Sequence, residues 1–177
     1  TISQYVKPFI MRRKKSEVLQ ELPDLIEITY KNELADDQKT IYLAQLKQMQ
    51  DRILSSSEEE LNRSKMEILS GLMRLRQICD TPSLFLEDYT GESGKLDSLL
   101  ELLEQIKDGN QRVLVFSQFR GMLDIIEKEL DALKMTSFKI TGSTPANERQ
   151  DMTNAFNSGL GDAFLISLKA GGVGLNL

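Results

Sequence analysis

From Leu96 onward the chain alternates apolar stripes at helical spacing with short unbroken apolar runs, and this alternation leaves few folds open. Leu96, Leu99, Leu100, Leu103 and Ile106 predict a helix that Lys107 and Gly109 bring to an end. Val113-Leu114-Val115-Phe116 follows as a continuous apolar run, the pattern of a strand covered on both faces. Met122, Leu123, Ile126, Leu130 and Leu133 predict the next helix. Ser137 to Thr141 reads as a short strand and Thr144 as the N-cap of a helix with Pro145 in its first position. Met152, Ala155 and Phe156 would be the inner face of that helix, which Gly159 closes. Ala163 to Ser167 predicts another buried strand, running into a glycine-bearing loop from Leu168 to Gly174. Strands and helices alternating at this length imply right-handed crossovers and a mostly parallel sheet, an α/β fold.

Upstream the texture differs. After a break at Leu22-Pro23-Asp24, Ile26, Ile28 and Tyr30 alternate at period two and predict a strand over residues 25–32. Tyr42, Leu46, Met49 and Ile53 then form one stripe of a helix that begins near Asp36 and is interrupted by Ser55-Ser56-Ser57. Leu61, Ile68, Leu72, Leu75 and Cys79 mark a second helix ending at Thr81-Pro82, and Leu69 and Met73 widen the face it is expected to bury. Two long helices joined by a short polar link predict an antiparallel hairpin. The polar stretch 87–95 marks a boundary, so the expected organisation is a connector and first strand over 1–32, a helical hairpin over 33–90 and an α/β lobe over 91–177.

Composition removes whole classes of chemistry. The 177 residues contain no histidine and one cysteine, Cys79, so histidine-based triads, histidine metal sites and internal disulfides are all excluded. A single cysteine fits a reducing intracellular compartment. No apolar run approaches the roughly 20 residues that span a bilayer, so no membrane partner is expected. The net charge of −5 argues mildly against nucleic-acid binding by bulk charge, but the acidic residues gather in helical stretches, and local charge matters more.

In an open parallel sheet, ligands bind beyond the carboxyl ends of the strands. Three loops are expected there: Ser117-Gln118-Phe119, Thr141-Gly142-Ser143-Thr144, and Ser167 to Asn176. All carry small hydroxyl or amide side chains or glycines, which let backbone N–H groups approach an anion. Each also has a plain structural reading: Ser117 and Gln118 end a strand, and Gly142 to Pro145 makes a turn and a helix cap. Gly171-Gly172-Val173-Gly174 lacks the Gly-Lys-Ser/Thr ending of a phosphate-binding P-loop and is not a dinucleotide fingerprint. The basic run Arg12-Arg13-Lys14-Lys15 is a solvated patch or a contact to nucleic acid or a partner lobe.

Four of these stretches together resemble the SWI/SNF-like branch of superfamily-two ATPases. Pro8 to Lys15 followed by Leu22-Pro23 is similar to the segment joining the two motor lobes, and Leu72 to Pro82 to the end of the second helical protrusion. Arg112 to Phe119 resembles helicase motif IV and Ser167 to Leu177 motif V, with Ile140 to Thr144, Arg149 and Phe156 in the family's order between them. Where many members carry histidine, this chain has Asp80-Thr81.

The resemblance implies a RecA-like second motor lobe of an ATP-driven double-stranded-DNA translocase, incomplete because the motif VI arginines do not follow Leu177. It implies that Ser117, Gln118, Gly142, Ser143, Ser167 and Lys169 lie near DNA phosphates, and that Gly172, Gly174 and Asn176 face ATP with Mg²⁺ between this lobe and a first RecA-like lobe. No catalytic or metal-ligating residue is expected within the chain, which on its own should be inactive. The hairpin is expected to dock a protein partner. A competing expectation makes the hairpin a protein-interaction scaffold beside an inert α/β lobe. A third, a sugar-transferase-like nucleotide-binding enzyme, leaves the Arg-Lys run and the hairpin unexplained.

Overall fold

The computed structural model describes residues 26–57 and 65–171. The chain forms two compact units, 1–31 and 32–177. Of the first, the described residues 26–31 carry no regular secondary structure, and Ile26, Ile28 and Tyr30 are exposed. The strand expected over 25–32 is therefore not formed at residues 26–32, while Leu25 lies outside the described residues. Period-two alternation shows which side chains share a face, but a strand also needs an edge to pair with.

The second unit opens with helix α1 (Asp36–Ser55) and helix α2 (Lys65–Asp80), and a 3₁₀ turn at Pro82–Leu84 follows. The pair is antiparallel. Gln38 in the first turn of α1 bonds the Ile78 carbonyl near the end of α2, and Arg52 in the last turn of α1 pairs with Glu67 at the start of α2. At mid-length Gly71 lets the helices close up, since a Cβ there would sit 2.7 Å from the Met49 sulfur. The expected broad buried face of α2 is not found. Leu75 and Ile78 are buried, but Leu69, Leu72 and Met73 are exposed, because α1 covers only the narrow ridge that includes Ile68 and Gly71. Leu61 of the predicted stripe lies outside the described residues.

The α/β part follows as α3 (Gly94–Asp108), β1 (Val113–Ser117), α4 (Arg120–Ala132), β2 (Ser137–Ile140), α5 (Ala146–Asn157), β3 (Ala163–Ser167) and the short α6 (Leu168–Gly171). The three strands are parallel in the order β1-β3-β2, with Ser117 level with Ser167 and Ile140 with Ile166. One face of the sheet, through Ala163 and Leu165, packs on Leu103 of α3 and on Met122, Leu123, Ile126 and Leu130 of α4. The other face, through Ile140, Phe164 and Ile166, packs on Phe156 of α5 and Ala170 of α6. Central β3 is buried on both faces throughout.

β1 departs from its expected double cover. Its residues alternate between half-buried and exposed, and Phe116 is 51% accessible, because β1 is an edge strand whose Leu114/Phe116 side meets, among the described helices, only the single turn α6 at Gly171. An unbroken apolar run thus marked the strand correctly and its surroundings incorrectly. Two further corrections concern termini. Helix α5 starts after Pro145, and Thr144 turns its hydroxyl back to accept from the Thr141 amide at 3.0 Å, so it braces the preceding loop and does not cap the helix. The expected loop after β3 begins instead as α6, where the good helix formers Leu168 and Lys169 lead into Ala170, a residue buried against the sheet.

Candidate nucleic-acid interface

The level ends of β1 and β3 place the loops that follow them side by side. Ser117 and Ser167 are register partners, Gln118 and Arg120 continue from the first, and Lys169 follows two residues after the second. The loop Thr141-Gly142-Ser143-Thr144 leaves β2 on the other side of β3. Together they enclose a cleft of about 290 Å³ lined by Gln118, Arg120, Thr141, Gly142, Ser143, Ser167 and Lys169. Five of the six residues expected near phosphate, Gln118, Gly142, Ser143, Ser167 and Lys169, therefore line one cleft.

Ser117 is the exception. Its oxygen accepts from the Phe119 amide at 3.1 Å, and with Gln118 it lines a separate groove. Ser117 thus shapes the turn into α4.

The 141–144 loop is held from behind. Arg149 of α5 donates through Nε to the Thr144 carbonyl at 2.8 Å and through Nη2 to the Thr141 and Gly142 carbonyls at 3.2 Å each. Those carbonyls are drawn toward the guanidinium, and the Thr141 and Ser143 hydroxyls share a bond at 3.0 Å. A Cβ built on Gly142 would meet nothing within 4 Å, and its φ is ordinary. Among the described residues neither strain nor crowding calls for glycine there; what its missing side chain preserves is the open width of the cleft.

Electrostatically the cleft has one sign. Its lining holds two cations, Arg120 and Lys169, and no carboxylate. Neither cation has a hydrogen-bond or ion-pair partner among the described residues. At its floor, Ser167 is 8% exposed and its hydroxyl has no hydrogen-bond partner among the described residues. Buried hydroxyls are normally satisfied, and among the described residues the Ser167 hydroxyl in the cleft and the Thr153 hydroxyl in α5 are the two that are not. Gly172, Gly174 and Asn176 lie outside the described residues, as do the Pro8 to Lys15 and Leu22-Pro23 segments. Among the described residues, no group of cysteine and carboxylate side chains is placed to hold a metal ion, and no helix is long and apolar enough to cross a membrane.

Beside this cleft lies a larger groove, about 710 Å³, between α2 and the sheet rim. Leu69, Leu72, Met73, Phe116 and Leu168 line it and are all exposed.

The comparisons with known proteins divide the chain in two. Residues 1–84 match the SNF2-related domain and residues 94–177 the helicase conserved C-terminal domain. The mouse SWI/SNF-related matrix-associated actin-dependent regulator of chromatin subfamily A member 1 is 35% identical over 97% of this chain. The chain belongs to the SWI/SNF family of helicase-like ATPases.

This SWI/SNF chain is also 34% identical, over 99% of its length, to the putative ATP-dependent helicase/translocase YwqA of Bacillus subtilis. It spans 17% of the mouse protein and 20% of the Bacillus one. Its fold is similar to that of the Sulfolobus solfataricus SWI2/SNF2 ATPase core domain, with a TM-score of 0.76 and 31% identity over 99% of this chain and 37% of that one. The same archaeal core in complex with dsDNA gives 0.73 and 28% identity, covering 94% and 36% of the two chains. The RecA-like α/β architecture is thus the observed one.

Arg120 was not among the residues singled out from sequence. The available signal was its place three residues beyond Ser117, in the first turn of α4 and therefore on the same rim.

Proposed function

We propose that this chain is the backbone-gripping part of an ATP-driven double-stranded-DNA translocase. The observation that carries the proposal is the cleft itself: neutral donors, an unpartnered buried hydroxyl and free cations, with no anion in the lining. Such a set holds phosphate without reading bases, which a motor moving over all sequences requires. Gln118, Gly142, Ser143, Ser167 and Lys169 would contact phosphate directly, and Ser117 would position Gln118 by fixing the turn. ATP with Mg²⁺ would bind between this lobe and a first RecA-like lobe, with Gly172, Gly174 and Asn176 on this side. Closing and opening of the two lobes would carry the grip along one strand.

In the full-length protein, Lys169→Ala is expected to weaken binding to duplexes of any sequence. The slope of log affinity against log salt should fall by about 0.9, the share of one phosphate contact. A slope equal to wild type removes Lys169 from the grip.

The exposed apolar groove favours a second role for the hairpin, as the seat of a protein partner or domain that couples turnover to DNA. On that reading Leu72→Asp lowers DNA-stimulated ATP hydrolysis by the full-length protein while DNA affinity is kept. Unchanged hydrolysis rejects it.

A further inference from the structure

Arg120 and Lys169 approach the cleft from two different strand ends. β1 and β3 finish level at Ser117 and Ser167, Arg120 lies three residues past the first, and Lys169 two past the second. Both side chains are exposed and line the same cleft as the unpartnered Ser167 hydroxyl.

Two other arginines of the α/β part are committed to structure. Arg112 bonds the carbonyls of Phe156, Leu160 and Gly161 and lies 3.7 Å from the Phe156 ring centroid, and Arg149 bonds those of Thr141, Gly142 and Thr144. Arg120 has no such engagement among the described residues. A guanidinium held at the mouth of a carboxylate-free cleft is chemically suited to a phosphate. Its planar fork takes two phosphate oxygens at once, where an ammonium acts as a point charge.

We infer that Arg120 is a further DNA-backbone residue, forming with Lys169 a two-cation clamp on the strand that the cleft grips, with Ser167 donating between them. The inference rests on the function proposed above and adds to it a residue and a division of labour. Both cations supply charge, and Arg120 adds orientation through its fork.

The test measures affinity of the full-length protein for a mixed-sequence DNA duplex across a salt series, with melting temperature recorded for each variant. Arg120→Ala should lower the salt slope by about 0.9 and the double change with Lys169→Ala by about 1.8, and Arg120→Ala should bind about eightfold more weakly at 0.1 M salt. Arg120→Lys should restore the slope, since the charge is kept, and melting should not move.

If Lys169→Ala lowers the slope and Arg120→Ala does not, the clamp is overturned while the proposed function stands. If neither lowers it, the proposed function falls and the clamp with it. An Arg120→Ala protein that melts lower at an unchanged slope shows a structural residue and overturns the clamp.

Discussion

Gln38 joins three segments with one amide. Fully buried, it donates through Nε2 to the Ile78 carbonyl at 2.7 Å and accepts through Oε1 from the amides of Ala35 at 3.1 Å and Gly94 at 3.2 Å. Gln38→Leu keeps the volume and leaves those backbone groups without a partner. Each buried group stranded in this way costs about 1–3 kcal/mol, so urea unfolding should show a loss of about 3 kcal/mol or more. A loss below about 1 kcal/mol would mean that water or a shifted backbone replaces the amide. Sequence reading missed Gln38 because a polar residue near a helix start looks like surface. Its burial depends on partners 40 and 56 residues away. The cleft residues were easier to find, because small hydroxyl residues and glycine just past predicted strand ends carry their position with them. Arg120 was harder, since an arginine in the first turn of an amphipathic helix also looks like surface.

Elements were legible where periodicity alone determines them and misjudged where a neighbour does. Helices α3 and α4 and strand β3 run as their apolar spacing predicts. The predicted burial failed for β1 and α2, whose apolar side chains have uncovered faces, because hydrophobicity shows what a residue tolerates and not what is laid across it. A contact at the start of α3 makes this dependence testable. A Cβ on Gly94 would run into the Glu33 carbonyl oxygen, a backbone atom that yields only if residues 33–35 move. Those residues share the Gln38 hub, so Gly94→Ala should loosen the base of the hairpin as well as the helix start. The expected cost is about 1–3 kcal/mol in equilibrium unfolding, in the range of overpacked sites. Hydrogen exchange at the Ala35 and Lys39 amides, bonded to Gln38 Oε1 and to the Ala35 carbonyl, should accelerate with it, and protection equal to wild type would rule out this transmission.

At the scale of the whole molecule, the 177 residues contain no Gly-Lys-Ser/Thr loop to cradle ATP phosphates. The chain by itself is accordingly expected to show no ATP turnover and weak, salt-sensitive duplex binding, measured by phosphate release and by anisotropy at two salt concentrations. Turnover above background would place the phosphate-binding machinery within these residues and overturn the proposed division between lobes. The residue-by-residue register of β1 against β3 bears on how such a machine keeps its step. The loops proposed to hold phosphate hang from strand ends locked by a shared hydrogen-bond ladder, so the gap between the two cations is gauged by the sheet. Changes within the loops would then alter how firmly the rail is held and leave the pitch of the teeth untouched.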